Sequence, residues 1–236
     1  MAEPLVLLPG LMSDARVFWP QIAELSSTLS VTVAPVTLGE RIEEIASGLL
    51  DQLPKRFALA GLGLGGIIAL EIMRRAPDRV IRIALIDTNP IAETPQVAAA
   101  RELLIVKAKS GRMADVMSNE IQPGFLAPGP NRNAIIDIAM DMAETLGPEV
   151  YVRQARALQR GRDQQAVLRK CKVPALVMCG DVEKLNRVKR HSFMAELIPN
   201  ATLSVITGAG LLPTLEQPQA TTVALRIWMK IPSALR

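Results

Sequence analysis

The chain is poor in the residue types that most often advertise chemistry. Aromatic residues make up only 3% of its 236 positions, too few for a platform on which nucleic-acid bases stack. Histidine occurs once, at His191, so a mechanism that needs an imidazole has a single candidate. The two cysteines, Cys171 and Cys179, flank a predicted strand. Extended chain would hold them about 26 Å apart, far beyond the ~7 Å Cα limit of a disulfide. They read as free thiols, which suits the cytoplasm. No apolar run reaches the roughly 18 residues of a membrane span. The opening Met1-Ala2-Glu3-Pro4 lacks the basic and long apolar regions of a secretory signal.

A concentrated charge is missing too. The net charge is +4, with Lys and Arg spread along the chain. The densest basic run, Lys184 to His191, reads as a solvated helix face, and neither nucleic acid nor membrane is expected as a partner. What is abundant is apolar surface: 49% of the residues, enough to bury a full core.

That apolar content is arranged in an alternating pattern. Leu5 to Leu8 is an unbroken apolar run stopped by Pro9-Gly10, and continuous apolarity predicts a strand covered on both faces, as in a parallel sheet. Val31 to Val33, Phe57 to Ala60, Val80 to Ile86, Val173 to Cys179 and Ala201 to Ile206 are further strands. Helices fall between them: Ala15 to Ser26 capped by Asp14, Arg41 to Leu53, one ending near Ala76 before Pro77, Lys189 to Ile198, and Gln217 to Met229. Strand–helix alternation predicts an α/β fold with a mostly parallel sheet and right-handed crossovers. It breaks after Pro90. Segments 96–109, 111–120, 133–146 and 148–160 carry apolar residues at helical spacing. Residues 91–168 are therefore expected to form a helical cap inserted into a core made of 1–90 and 169–236.

In open parallel sheets, ligands bind at the carboxyl ends of the strands. The most constrained of these ends is Gly61-Leu62-Gly63-Leu64-Gly65-Gly66, a tight strand-to-helix turn. Its spacing Gly61-x-Gly63-x-x-Gly66 matches a dinucleotide-binding turn, and Asp87 closes the next strand where a ribose-binding acid would stand. NAD(P) binding is therefore one alternative. It leaves the other strand ends unexplained: Pro9-Gly10-Leu11-Met12, Gly180-Asp181-Val182-Glu183, and Gly208-Ala209-Gly210-Leu211 through Glu216-Gln217-Pro218.

Together these turns resemble the α/β-hydrolase superfamily, in particular its small capped esterase-like members, over nearly the whole chain. Pro9-Gly10-Leu11 is similar to the oxyanion loop of that family. Gly61 to Gly66 is similar to the nucleophile elbow G-x-S-x-G-G. Gly180 to Glu183 is similar to the turn carrying the triad acid, and Gly208 to Pro218 to the segment carrying the triad histidine. The resemblance implies an α/β-hydrolase fold with no cofactor, a small apolar molecule bound under the cap, and an anion hole formed by the amides of Leu11 (or Met12) and Leu64. It also places Gly63 where the nucleophilic serine belongs, Leu211 where the histidine belongs, and Glu183 at the acid. Two of the three groups a serine triad requires are then absent.

Three outcomes follow from the resemblance. The chain binds a small apolar ligand, or it is a non-hydrolytic enzyme with Glu183 as general base or acid, or it is an inactivated or engineered variant of a carboxylesterase. Met12, Met113, Met117 and Met140 are the candidate ligand contacts, because flexible thioethers fit varied shapes. Burial would raise the pKa of Glu183 and exposure would not, and the two environments stay open. His191 is expected to be a partly buried structural residue, and Ser13 to serve a turn or helix cap.

Overall fold

The computed structural model describes residues 3–182 and 187–232. Six strands form one sheet: β1 (Leu5–Leu8), β2 (Val31–Val33), β3 (Phe57–Leu62), β4 (Val80–Ile86), β5 (Ala175–Gly180) and β6 (Ala201–Ile206). Their order is β2-β1-β3-β4-β5-β6, and every adjacent pair is parallel. All residues of β1, β3, β4 and β5 are buried, which is why these strands are apolar apart from Arg82 of β4. On the edge strands Thr32 and Thr202 are exposed.

Successive strand residues point to opposite faces, and the core divides accordingly. Val6, Leu8, Leu59 and Val177 pack on one side against α2 (Ile42–Leu50), α3 (Leu64–Arg75) and α8 (Arg187–Leu197). Leu5, Leu7, Ala60 and Met178 pack on the other against Phe18, α1 (Trp19–Leu25) and α10 (Pro218–Lys230). The helix predicted over Ala15 to Ser26 is in two parts. A 3-10 turn, Ala15–Phe18, is capped by the Asp14 carboxylate accepting from the Arg16 amide, and α1 follows. Pro20 has no N–H to carry an α-helical ladder across that junction.

The connection from β4 to β5 holds α4 (Pro95–Lys109), α5 (Met113–Glu120), α6 (Arg132–Gln159) and α7 (Gln165–Lys170). The two helices expected on either side of residue 147 are continuous in α6 except at Gly147, whose φ of 78° and ψ of 167° kink it just before Pro148. This segment has its own apolar cluster, including Ile105, Val116, Met117, Tyr151 and Ala155. Arg101 lies within it, paired with Glu93 at 2.5 Å and Glu120 at 3.1 Å, and the Tyr151 hydroxyl donates to Glu120 at 2.7 Å. Burial, reinforced by the Glu120 carboxylate, holds the Tyr151 phenol well above its ordinary pKa.

Neither cysteine is in a disulfide and both are buried, and burial pushes the Cys171 thiol up to about 11. No helix among the described residues is long and apolar enough to cross a membrane.

A second buried charge gives a testable pH dependence. Glu71 of α3 has a side chain 6% exposed, held by Arg74 at 2.7 Å and Arg75 at 2.6 Å. Burial pushes its carboxyl up, but the hydrogen bonds and charges of the two arginines outweigh this and leave its pKa below 4.5. A depressed carboxylate contributes stability that is complete above the unfolded-state pKa and disappears as pH falls through the folded value. Glu71→Gln should therefore melt roughly 2–4 °C below the parent near neutrality. That gap should narrow as the pH falls through the depressed folded-state value, as calorimetry at neutral and acid pH would show. A gap of constant size would mean that the ion pairs contribute nothing.

Candidate active site

The chain reverses direction between β3 and α3 at one residue. Gly63 has φ 52° and ψ −113°, a conformation that L side chains rarely adopt. Its amide donates to the Ile86 carbonyl at the end of β4 at 2.9 Å, and its carbonyl accepts from Gly66 at 3.0 Å. The neighbouring glycines are needed for a different reason. A Cβ on Gly61 would lie 2.3 Å from the Gly65 carbonyl oxygen, one on Gly65 2.1 Å from that of Leu8, and one on Gly66 2.6 Å from Thr88 Cβ. At Gly63 the nearest atoms would be Gly10 Cα at 3.9 Å and the Asp87 carbonyl oxygen at 4.0 Å. Gly61 and Gly66 of the dinucleotide spacing thus lie hard against the protein's own atoms, whereas a Cβ at Gly63 would meet only ordinary van der Waals contacts.

The residues expected to supply anion-binding amides lie beside this turn. Leu64 opens α3, where amides have no intrahelical acceptor. Of the pair Leu11 and Met12, Met12 is already committed. It has φ 49°, and its amide donates to Gln154 Oε1 at 2.9 Å. Gln154, buried on α6, donates in turn to the Val36 carbonyl at 3.0 Å. Leu11 is left as the available amide on that loop. Ser13 closes the loop, its amide donating to Gly10 and its hydroxyl to Leu11, so it has the turn role expected of it.

The four methionines come together in one cluster. Met12 is 1% exposed and Met117 2%, while Met113 and Met140 are partly buried against the same cluster. Met12 and Met117 thus face neighbouring side chains, and Met113 and Met140 retain exposed surface.

Leu211 lies in the loop after β6, partly buried, with its amide donating to the Phe125 carbonyl at 2.8 Å. A Cβ on the preceding Gly210 would stand 2.1 Å from that same carbonyl oxygen. The loop is therefore pressed against the turn Pro123–Phe125 of the helical segment. Glu216 of α9 (Pro213–Glu216) secures the junction. Its carboxylate accepts from the amides of Ala127 at 2.6 Å, Gly210 at 2.9 Å and Leu212 at 2.7 Å. Asp181 accepts from the Gly208 amide at 2.8 Å, joining the end of β5 to the same loop. Glu183 lies outside the described residues, as does Lys184 of the basic run.

His191 is on α8 and is 0% exposed, more deeply buried than its sequence context predicts. Its Nε2 accepts from the Thr88 amide at 3.2 Å, which leaves the ring proton on Nδ1. The Thr88 hydroxyl donates to the Gly63 carbonyl at 2.6 Å. The only imidazole therefore supports the turn through the end of β4. Gln154, Thr88 and Glu216 were missed as supporting residues. Gln154 had one visible signal, an uncharged polar residue within the apolar spacing of Val150, Tyr151 and Ala155.

A parallel α/β sheet with a strand–glycine–helix reversal at its carboxyl edge defines a class, and the sequence profile of the alpha/beta hydrolase family matches residues 5–225. The chain belongs to that family. Among curated relatives, it is 26% identical over 230 residues to RutD of Yersinia enterocolitica, to which carbamate hydrolysis is ascribed, covering 89% of this chain and 81% of that protein. It is also 26% identical to the pimeloyl-[acyl-carrier protein] methyl ester esterase of Aromatoleum aromaticum, over 79% of each chain. Among solved structures, a thermophilic esterase from Thermogutta terrifontis superposes with a TM-score of 0.86 at 23% identity, over 97% of this chain and 89% of that one. The likeness to solved structures concerns the fold.

Proposed function

We propose that this member of the family performs no acyl-serine chemistry and binds a small, largely apolar carbonyl compound at the turn. The observation that carries this reading is Gly63. It has the backbone conformation of an elbow and room for a Cβ at ordinary contact distance, yet no side chain. The one histidine is spent on Thr88, and Leu211 cannot accept a proton. Without nucleophile and base, the family's covalent route has no first step. The amides of Leu11 and Leu64 remain as donors to a ligand carbonyl, in the manner of an anion hole. The helices of residues 91–168 act as the cap, and Met113 and Met140 offer it adaptable apolar contacts.

Hydrolysis of p-nitrophenyl acetate or butyrate by the unmodified protein should match the buffer blank, and a fluorophosphonate probe should leave it unlabelled. Turnover above the blank would refute pure binding. A second reading has its own support: the family's acid position retains a carboxylate, Glu183, and the relatives named above are described as hydrolases. There Glu183 would move a proton while the two amides hold the developing oxyanion. Any activity found should then fall at least about a hundredfold in Glu183→Gln. Unchanged activity would exclude that role.

A further inference from the structure

A cavity lies at the opposite edge of the sheet from Gly63, where β4 and β5 begin. It has a volume of about 1040 Å³ and opens between the C-terminal turn of α3 and helix α7. That is the upper end of the range for small-molecule pockets, about 300–1,000 Å³. Met73, Val80, Ile81 and Val173 give it an apolar floor. Its rim carries Arg56, Arg74, Lys170 and Lys172 against one acid, Asp78. Arg74 gives Nε and Nη2 to Glu71. Among the described residues, Arg56, Lys170 and Lys172 enter no ion pair. No serine, cysteine or histidine lines the cavity, so its chemistry is that of binding.

We propose that this cavity is a second ligand site, separate from the turn at Gly63, for an amphipathic organic anion. The apolar body would cover the floor, where removing apolar surface from water is favourable. The carboxylate or phosphate head would sit among Lys170, Lys172 and Arg56, whose uncompensated charge attracts anions and repels cations. The lining holds no aromatic ring, so stacked bases have no platform there. The site shares no residue with the turn at Gly63, and its test is independent of the function proposed above.

Titration calorimetry with the full chain should show dodecanoate and dodecyl phosphate binding below their micelle concentrations, and their ratio identifies the preferred head group. Acetate, which has no apolar body, should bind at least about tenfold more weakly, as should dodecyltrimethylammonium. Lys170→Glu combined with Lys172→Glu should weaken dodecanoate about tenfold or more. Ala166→Trp, which fills the cavity from α7, should do the same. All of these positions are exposed, so both variants should melt within about 2 °C of the parent. Wild-type affinity in either folded variant would overturn the site. Equal binding of acetate or of the cationic detergent would overturn its amphipathic, anion-selective character.

Discussion

Gly63→Ser combined with Leu211→His is expected to switch on ester hydrolysis, raising initial rates with p-nitrophenyl butyrate on the order of a hundredfold or more. The geometry at Gly63 is permissive. A Cβ there meets nothing closer than 3.9 Å, and the φ of 52° is already set by bonds to Ile86 and Gly66. Serine in that conformation costs about 1–3 kcal/mol of backbone strain, which the close packing of the flanking glycines can hold. Leu211 is fixed by its amide to Phe125, so a histidine there would start from a defined backbone. Triad members act as a unit and their effects do not add. Each single variant should therefore stay near the blank, and only the pair should rise, with one equivalent of fluorophosphonate incorporated per chain. A folded double variant without activity would show that Glu183, Leu11 or Leu64 does not stand where the proposed site needs it.

The second large effect concerns Gly65→Ala, which should cost on the order of 5 kcal/mol, at the extreme of single substitutions. Helix propensity alone points the other way, since alanine is favoured over glycine within a helix by about 1 kcal/mol. Sterics decide the sign. The new methyl carbon would stand 2.1 Å from the Leu8 carbonyl oxygen and 2.6 Å from that of Pro9. These are backbone atoms at the end of a fully buried strand, so neither can swing aside. Against a typical stability of about 5–15 kcal/mol, little folded protein should remain. Gly63→Ala, whose methyl would meet nothing closer than 3.9 Å and which adds only backbone strain, should lose about 1–3 kcal/mol. Chemical denaturation of the two variants side by side checks the contrast. Similar midpoints would mean that β1 and α3 do not approach each other as closely as described.

Much of this architecture can be read from the residues. The four inner strands are legible because burial on both faces makes them almost wholly apolar, as in Leu5–Leu8 and Ala175–Gly180. The helix boundary at 147 is legible because Gly147 and Pro148 stand together. Strand ends were also legible, since their glycine-rich turns must follow the sheet's carboxyl edge. What could not be read depends on distant side chains. The bond from Gln154 to Met12 joins residues 142 positions apart, and no local period encodes it. Glu216 is visible as a letter in a motif, but its three amide partners are not. His191 looked like a half-exposed helix residue because its acceptor role toward Thr88 arises only when α8 packs against the end of β4. The cavity beneath β4 and β5 has no motif at all. It is a gap between elements that are each ordinary in sequence.

The connection between β4 and β5 carries a further consequence, in terms of chain entropy. The two strands pair directly, Ile83 beside Ala175 through Ile86 beside Met178, although α4 to α7 intervene. The entropy of closing a connection grows with the logarithm of its length, by only about 0.6 kcal/mol for each doubling. Most of that cost is incurred by bringing the two strands together at all, and little depends on how many helices lie between. The sheet is therefore nearly indifferent to the size of this segment, and insertions or deletions there would change the helical segment and its apolar cluster while leaving the strand register intact.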